Sequence, residues 1–203
     1  MHREILDKNQ LDLLPLIREF KRTFYLAGGT AVALHIGHRR SVDFDLFREG
    51  RINPTDILKK IQNHQYIPVV TRRVKEQLNL TVNNVKFTFF QYPFKIEKKV
   101  LFENIIYLPD LIDLAAMKAY ALGRRAKWKD YVDLYYLLTE YFSIREISVK
   151  AAAIFGGLFS EKQFRAQLSF FDDVDYSEEV EFVRPPVSVQ IVKDTLLNKA
   201  IEF

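Results

Sequence analysis

The chain has 203 residues and a formal charge of +4 at neutral pH, with 48% hydrophobic and 28% charged side chains. That is the composition of a soluble globular protein of one to two domains. The absence of cysteine excludes disulfide frameworks, zinc–thiolate and iron–sulfur centres, and thiol catalysis.

No apolar run approaches the length of a membrane span, so no membrane association is expected. The charged start, Met1 to Asp7, lacks the apolar region of a signal peptide. Both features fit a cytoplasmic protein. The charge is unevenly placed: residues 161–203 sum to −4 and residues 1–160 to +8. A basic body with an acidic tail suits a phosphate-rich partner, and equally suits an ordinary solvated surface.

Gln10 to Arg22 sets Leu13, Leu14, Leu16, Ile17 and Phe20 at helical spacing. Phe24 to Ala27 is strand-like. Gly28-Gly29-Thr30 follows, and a small apolar helix is expected just after the glycines, from Ala31 to Gly37. Ser41 to Phe47 alternates, with Val42, Phe44 and Leu46 on one face and Asp43, Asp45 and Phe47 on the other. Pro54 to His64 reads as a helix. Tyr66 to Val74, Gln77 to Val82 and Val85 to Tyr92 read as an antiparallel meander, with Asn83-Asn84 as a hairpin turn.

From Pro109 the pattern becomes helical. Asp110 to Arg125, Lys129 to Tyr141, Ile144 to Phe155 and Glu161 to Phe171 each carry an apolar stripe. Asp172 to Glu181 has six acidic residues in ten and reads as a solvated loop. Ser188 to Phe203 reads as a closing helix capped by Ser188. The chain thus divides into a mixed α/β half, 1–107, and a helical half, 108–203.

The chemistry is concentrated in Ala27-Gly28-Gly29-Thr30 and Asp43-Phe44-Asp45-Leu46. Two glycines before a helix let the backbone approach a ligand closely, and the helix start offers unpaired N–H groups to phosphate. Two aspartates on one strand face can share divalent ions. Together they are what in-line phosphoryl or nucleotidyl transfer needs. A Walker loop and a Gly-x-Gly-x-x-Gly turn are both absent. His35 and His38 lack the further ligands of a zinc site. Phe89, Phe90 and Tyr92 offer either core packing or a stacking platform for a base.

A second block is basic: Lys118, Arg124, Arg125, Lys127 and Lys129 against Asp130 give +4 over residues 118–130. Asp130 and Asp133 share one helical face.

The string Gly28-Gly29-Thr30-Ala31, Gly37-His38-Arg39, Ser41 and Asp43-Phe44-Asp45-Leu46-Phe47 resembles the first motif of the nucleotidyltransferase superfamily. More narrowly it resembles the AbiEii-type toxins of bacterial abortive-infection and toxin–antitoxin systems. Ala116-Met117-Lys118-Ala119, Arg124 and Lys127 to Tyr135 are similar to that family's helical motifs. The resemblance covers about residues 24–138 and implies an α+β protein: a polymerase-beta-like fold with a mixed sheet, followed by a helical subdomain that completes the nucleotide cleft.

It also implies an enzyme that moves NMP from an NTP to an acceptor, tRNA or another RNA. Asp43 and Asp45 would hold one or two Mg²⁺. Gly28, Gly29, Thr30, Arg39 and Ser41 would bind the nucleotide. Lys118 and Arg124 would meet the triphosphate, and Asp130 or Asp133 would hold Lys118 or act as base. A separate antitoxin protein is the implied partner. Many superfamily members carry a third carboxylate on a later strand, where this chain has Thr88. A small-molecule or protein acceptor, and a non-catalytic nucleotide- or RNA-binding module, are the rival readings.

Overall fold

The structure is a computed structural model and describes residues 1–202. It contains two compact units, one spanning Met1–Asp110 and one from Leu111 onward.

The first unit opens with two short helices, α1 (Lys8–Asp12) and α2 (Leu14–Arg18). The single helix expected over 10–22 is divided at Leu13, because Pro15 sits in the first turn of α2 and donates no N–H to the turn before it. Asp7 and Gln10 close a capping box at the start of α1. Strand β1 (Tyr25–Ala27) leads into α3 (Gly28–Ile36), which takes in both glycines rather than starting after them. Gly37 ends it in the left-handed region at φ 65°. Then follow β2 (Asp43–Arg48), α4 (Pro54–Asn63), β3 (Val69–Arg73), β4 (Gln77–Val82) and β5 (Val85–Gln91). The helix α4 is capped by Asn53, one residue earlier than its proline suggests.

The five strands form one sheet in the order β1-β2-β5-β4-β3. The pair β2–β5 is parallel and the others are antiparallel, so the sheet is mixed. The expected meander is present, turning at Asn83 and Asn84, both at positive φ. One face of the sheet is core: Phe44, Leu46, Leu78, Leu80, Phe87 and Phe89 are buried. Phe20 and Phe24 pack edge-on against Phe89 at 4.9 and 5.3 Å between ring centroids. The strict alternation leaves Asp43, Asp45 and Phe47 on the other face.

A two-stranded hairpin, β6 (Val100–Phe102) and β7 (Ile106–Leu108), completes the unit. It was not expected from the sequence.

The second unit is helical: α5 (Leu111–Leu122), α6 (Trp128–Glu140), α7 (Ile144–Phe155), α8 (Glu161–Leu168) and α9 (Val189–Ile201). Ser143, Ser160 and Ser188 cap the last three. The expected end of the closing helix at Phe203 lies outside the described residues. Among the described residues, no helix is long and apolar enough to cross a membrane.

Candidate active site

The glycine turn and the acidic strand are joined by the sheet. Ala27 at the end of β1 is the Cα partner of Asp45 on β2, so Gly28 stands directly against the Asp45 side chain. Gly28 has φ 68°, and a Cβ there would collide with Asp45 Oδ2. Position 28 therefore needs glycine for its backbone and for its neighbour. At Gly29 a Cβ would fall 2.6 Å from Arg39 Nη2 and 3.3 Å from Ser41 Oγ.

The turn rests on a buried polar bracket. Thr30 Oγ1 donates to the Asp43 carbonyl and lies 2.9 Å from Ser41 Oγ. Ser41 is held from the other side, where buried Gln10 donates its Nε2 to the Ser41 carbonyl at 2.8 Å. Arg39 is 1% exposed and donates Nη1 to the Arg40 carbonyl at 2.9 Å. Of the five residues expected to bind nucleotide here, Gly28 and Gly29 present backbone, while Thr30, Ser41 and Arg39 brace the turn from beneath. Gln10 belongs to the same bracket, and no local pattern marks it, because its partner lies 31 residues away.

Asp43 and Asp45 are half-buried on one face of β2. They supply hard oxygen donors of the kind Mg²⁺ takes. Among the described residues there is no group of three or more His, Cys, Asp or Glu side chains placed to hold a metal. Thr88 is the Cα partner of Asp45 across β2–β5, on the same face one strand away. His35 bonds the Pro109 carbonyl at 3.0 Å, and burial lowers its basicity.

In the helical unit, Lys118 Nζ lies 2.6 Å from both Asp130 Oδ1 and Asp133 Oδ2. All three residues are buried. Arg125 adds a fork on Asp130, with Nε to Oδ2 at 2.9 Å and Nη2 to Oδ1 at 3.4 Å. Burial pushes the Asp130 carboxyl up, but Lys118 and Arg125 outweigh it and hold it below the usual carboxylate range. Sequence reasoning missed Arg125 as a site residue, because it lies outside α6 and no local spacing marks its contact with Asp130. Arg124 is exposed and lies over the Tyr120 ring at 3.5 Å.

The acidic segment is not simply solvated. Glu178 pairs with Lys127 at 2.5 Å and Lys129 at 3.2 Å. Asp175 exchanges backbone hydrogen bonds with Ala126 and Trp128.

Residues 16–181 match the model of the family described as nucleotidyl transferase AbiEii toxin, type IV TA system. An uncharacterized protein of Aquifex aeolicus (strain VF5) is 33% identical over 122 residues, 58% of this chain; the aligned region is 59% of that relative's length. The MenT4 nucleotidyltransferase toxin from Mycobacterium tuberculosis H37Rv superposes with a TM-score of 0.64 at 12% identity, over 95% of this chain and 82% of that one. A putative nucleotidyltransferase from H. pylori gives 0.57 at 15% identity, over 95% and 92%. The fold is thus that of the nucleotidyltransferases, and the chain belongs to the AbiEii family of nucleotidyltransferase toxins.

Proposed function

We propose that this protein transfers NMP from an NTP to an RNA acceptor and releases pyrophosphate. The observation that supports this is the apposition of Gly28 and Asp45: a backbone without a side chain, open to a phosphate, lies against a carboxylate that would hold a metal. Asp43 and Asp45 would hold Mg²⁺, which neutralises the triphosphate and stabilises the attacking and leaving oxygens. The amides of the Gly28-Gly29 turn bind phosphate oxygens at the start of α3. An acceptor hydroxyl attacks the α-phosphorus, the bond to the pyrophosphate oxygen breaks, and the hydroxyl proton leaves to solvent.

Neither helical carboxylate suits the role of general base. Asp133 is fully buried, and Asp130 is held ionised by two cations. In our reading Lys118 positions both aspartates, and Arg125 is the second cation on Asp130. Membership of a type IV toxin family implies a separate antitoxin protein as partner, and the lack of membrane-crossing helices among the described residues fits a cytoplasmic site of action.

The test mixes purified protein, Mg²⁺, each labelled NTP and total tRNA, and resolves the RNA on a gel. Label should enter RNA with one preferred NTP and vanish with Asp43→Ala or Asp45→Ala. Equal labelling by those variants would overturn the metal assignment. Label on protein or on a small molecule instead of RNA would overturn the acceptor.

A further inference from the structure

Four strands of the large sheet contribute one residue each to a single row. Asp45 on β2 is the Cα partner of Thr88 on β5, Thr88 of Asn79 on β4, and Asn79 of Arg72 on β3. Directly paired residues in a ladder carry their side chains on the same face. The row therefore runs from the acidic pair to the last strand of the sheet on the face that bears Asp45. With strands about 4.8 Å apart, it is roughly 14 Å long.

The neighbouring rows have matching chemistry. Asp43 pairs with Lys86 and Lys86 with Thr81; Phe47 pairs with Phe90 and Phe90 with Gln77. Thr88, Asn79, Gln77 and Phe90 are partly accessible, and Arg72 and Lys86 are exposed. On the opposite face Leu78, Leu80, Phe87 and Phe89 are core. The open face is thus polar: Arg72 and Lys86 stand with Asp43 and Asp45, and Phe47 and Phe90 are partly accessible beside the row.

A cavity confirms the placement. Arg72, Glu76, Gln77, Phe90 and Pro93 are among the residues that line one hollow of about 400 Å³. Phe90 is fixed there by ring contacts with Phe47 and Tyr92 at 5.3 and 6.1 Å. Gln77 Nε2 donates to Asn79 Oδ1 at 2.9 Å, so the two amides are held together.

We propose that this row is the acceptor track: the single-stranded end of an RNA lies across β5, β4 and β3 and presents its terminal hydroxyl at Asp45. The proposal rests on the nucleotidyltransfer reading above. Arg72 supplies the guanidinium fork that matches a backbone phosphate. Thr88 and Asn79 supply hydrogen bonds to ribose hydroxyls along the row. The Phe90–Pro93 hollow accepts one base face-on, with Gln77 at the base edge. The length suits about four stacked nucleotides at roughly 3.4 Å each.

Arg73 provides the internal control. It lies next to Arg72 on the same exposed strand, but its Cα partner is Leu78, so it belongs to the opposite face. Arg72→Ala and Arg73→Ala each remove one edge charge without disturbing the core. Two readouts are needed: steady-state transfer to total tRNA, and filter binding of a single-stranded RNA of about a dozen nucleotides at several salt concentrations.

Arg72→Ala should raise the acceptor KM and the RNA Kd by about tenfold, the scale of one charge-assisted contact. It should leave the NTP KM unchanged and lower the salt slope by about one. Arg73→Ala should stay within about twofold of wild type in both readouts. Equal effects of the two variants, or an Arg72→Ala defect in NTP KM, would overturn the track while leaving the nucleotidyltransfer reading intact. Wild-type label on a protein or small molecule, with RNA binding indifferent to Arg72, would overturn both.

Discussion

Lys118 and Asp133 meet at 2.6 Å in the helical unit, and Asp133 is wholly sealed from solvent. The same ammonium serves Asp130 at the same distance. Removing it takes away the ammonium that two neighbouring buried carboxylates share. Lys118→Ala should therefore cost about 3–5 kcal/mol, visible as a melting point lower by roughly 10 °C or more. Arg124 is exposed and touches neither carboxylate, so Arg124→Ala should leave melting within a degree or two. Differential scanning calorimetry separates the two. An unchanged melting point for Lys118→Ala would contradict the positioning role.

Gly28 gives a test of the other unit. Alanine at this position must adopt φ 68° and must push Asp45 aside. The backbone strain alone is on the order of 1–3 kcal/mol. A displacement of Asp45 by about 1 Å should lower transfer on the order of a hundredfold. Gly157 is the matched control: a Cβ there meets nothing within 4 Å. Gly157→Ala should leave transfer at the wild-type rate, and a comparable loss there would remove the meaning of the Gly28 result.

The parts legible in the sequence share one property: they repeat over enough residues to show a period. The alternation from Ser41 to Phe47 placed both aspartates on one face, and the Asn83-Asn84 turn set the β4–β5 register that puts Thr88 opposite Asn79. The strands β6 and β7 have three residues each, too few for alternation to register, and their turn uses Glu103 and Asn104 at positive φ without a glycine to mark it. The Gln10–Ser41 contact and the second cation on Asp130 depend on how elements pack, which no local pattern encodes. The acidic composition of 172–181 correctly signalled an irregular segment. It did not signal that Glu178 would find Lys127 and Lys129, because charge pairing across 51 residues leaves no trace in spacing.

That pairing predicts a pH response. The Lys127 hydrogen bond, with help from Lys129, holds the Glu178 carboxyl down at about 2 against an ordinary 4.5. A carboxyl depressed in the folded state contributes stability that is fully present above its unfolded value and is lost as pH falls through the folded one. The window is therefore pH 4.5 down to about 2. Because Glu178 is 38% exposed, solvent screening limits the contribution to about 1 kcal/mol. The reporter is Trp128, the chain's single tryptophan, which lies 5.2 Å from the Tyr176 ring of the acidic segment. Its fluorescence should change in that window as the segment detaches. In Glu178→Gln the change should already be present at neutral pH, and identical titrations of the two proteins would show that the segment is held by something else.

Thr88 bears on the metal. It is paired with Asp45 across β2–β5, so Thr88→Asp places a third carboxylate on the same face, one strand from the existing two. Divalent-cation affinity rises with the number of charged oxygen ligands, and any ligand that binds only the folded state raises melting in proportion to the logarithm of its concentration over Kd. In the absence of nucleotide, Thr88→Asp should therefore melt below wild type without Mg²⁺, through repulsion among three carboxylates, and gain more from added Mg²⁺. Asp45→Asn should behave oppositely, melting at or above wild type without Mg²⁺ and gaining little from it. Both measurements are independent of turnover, so they test the carboxylates as cation ligands even where transfer is lost. A Mg²⁺ response that is the same in all three proteins would place the cation away from Asp45.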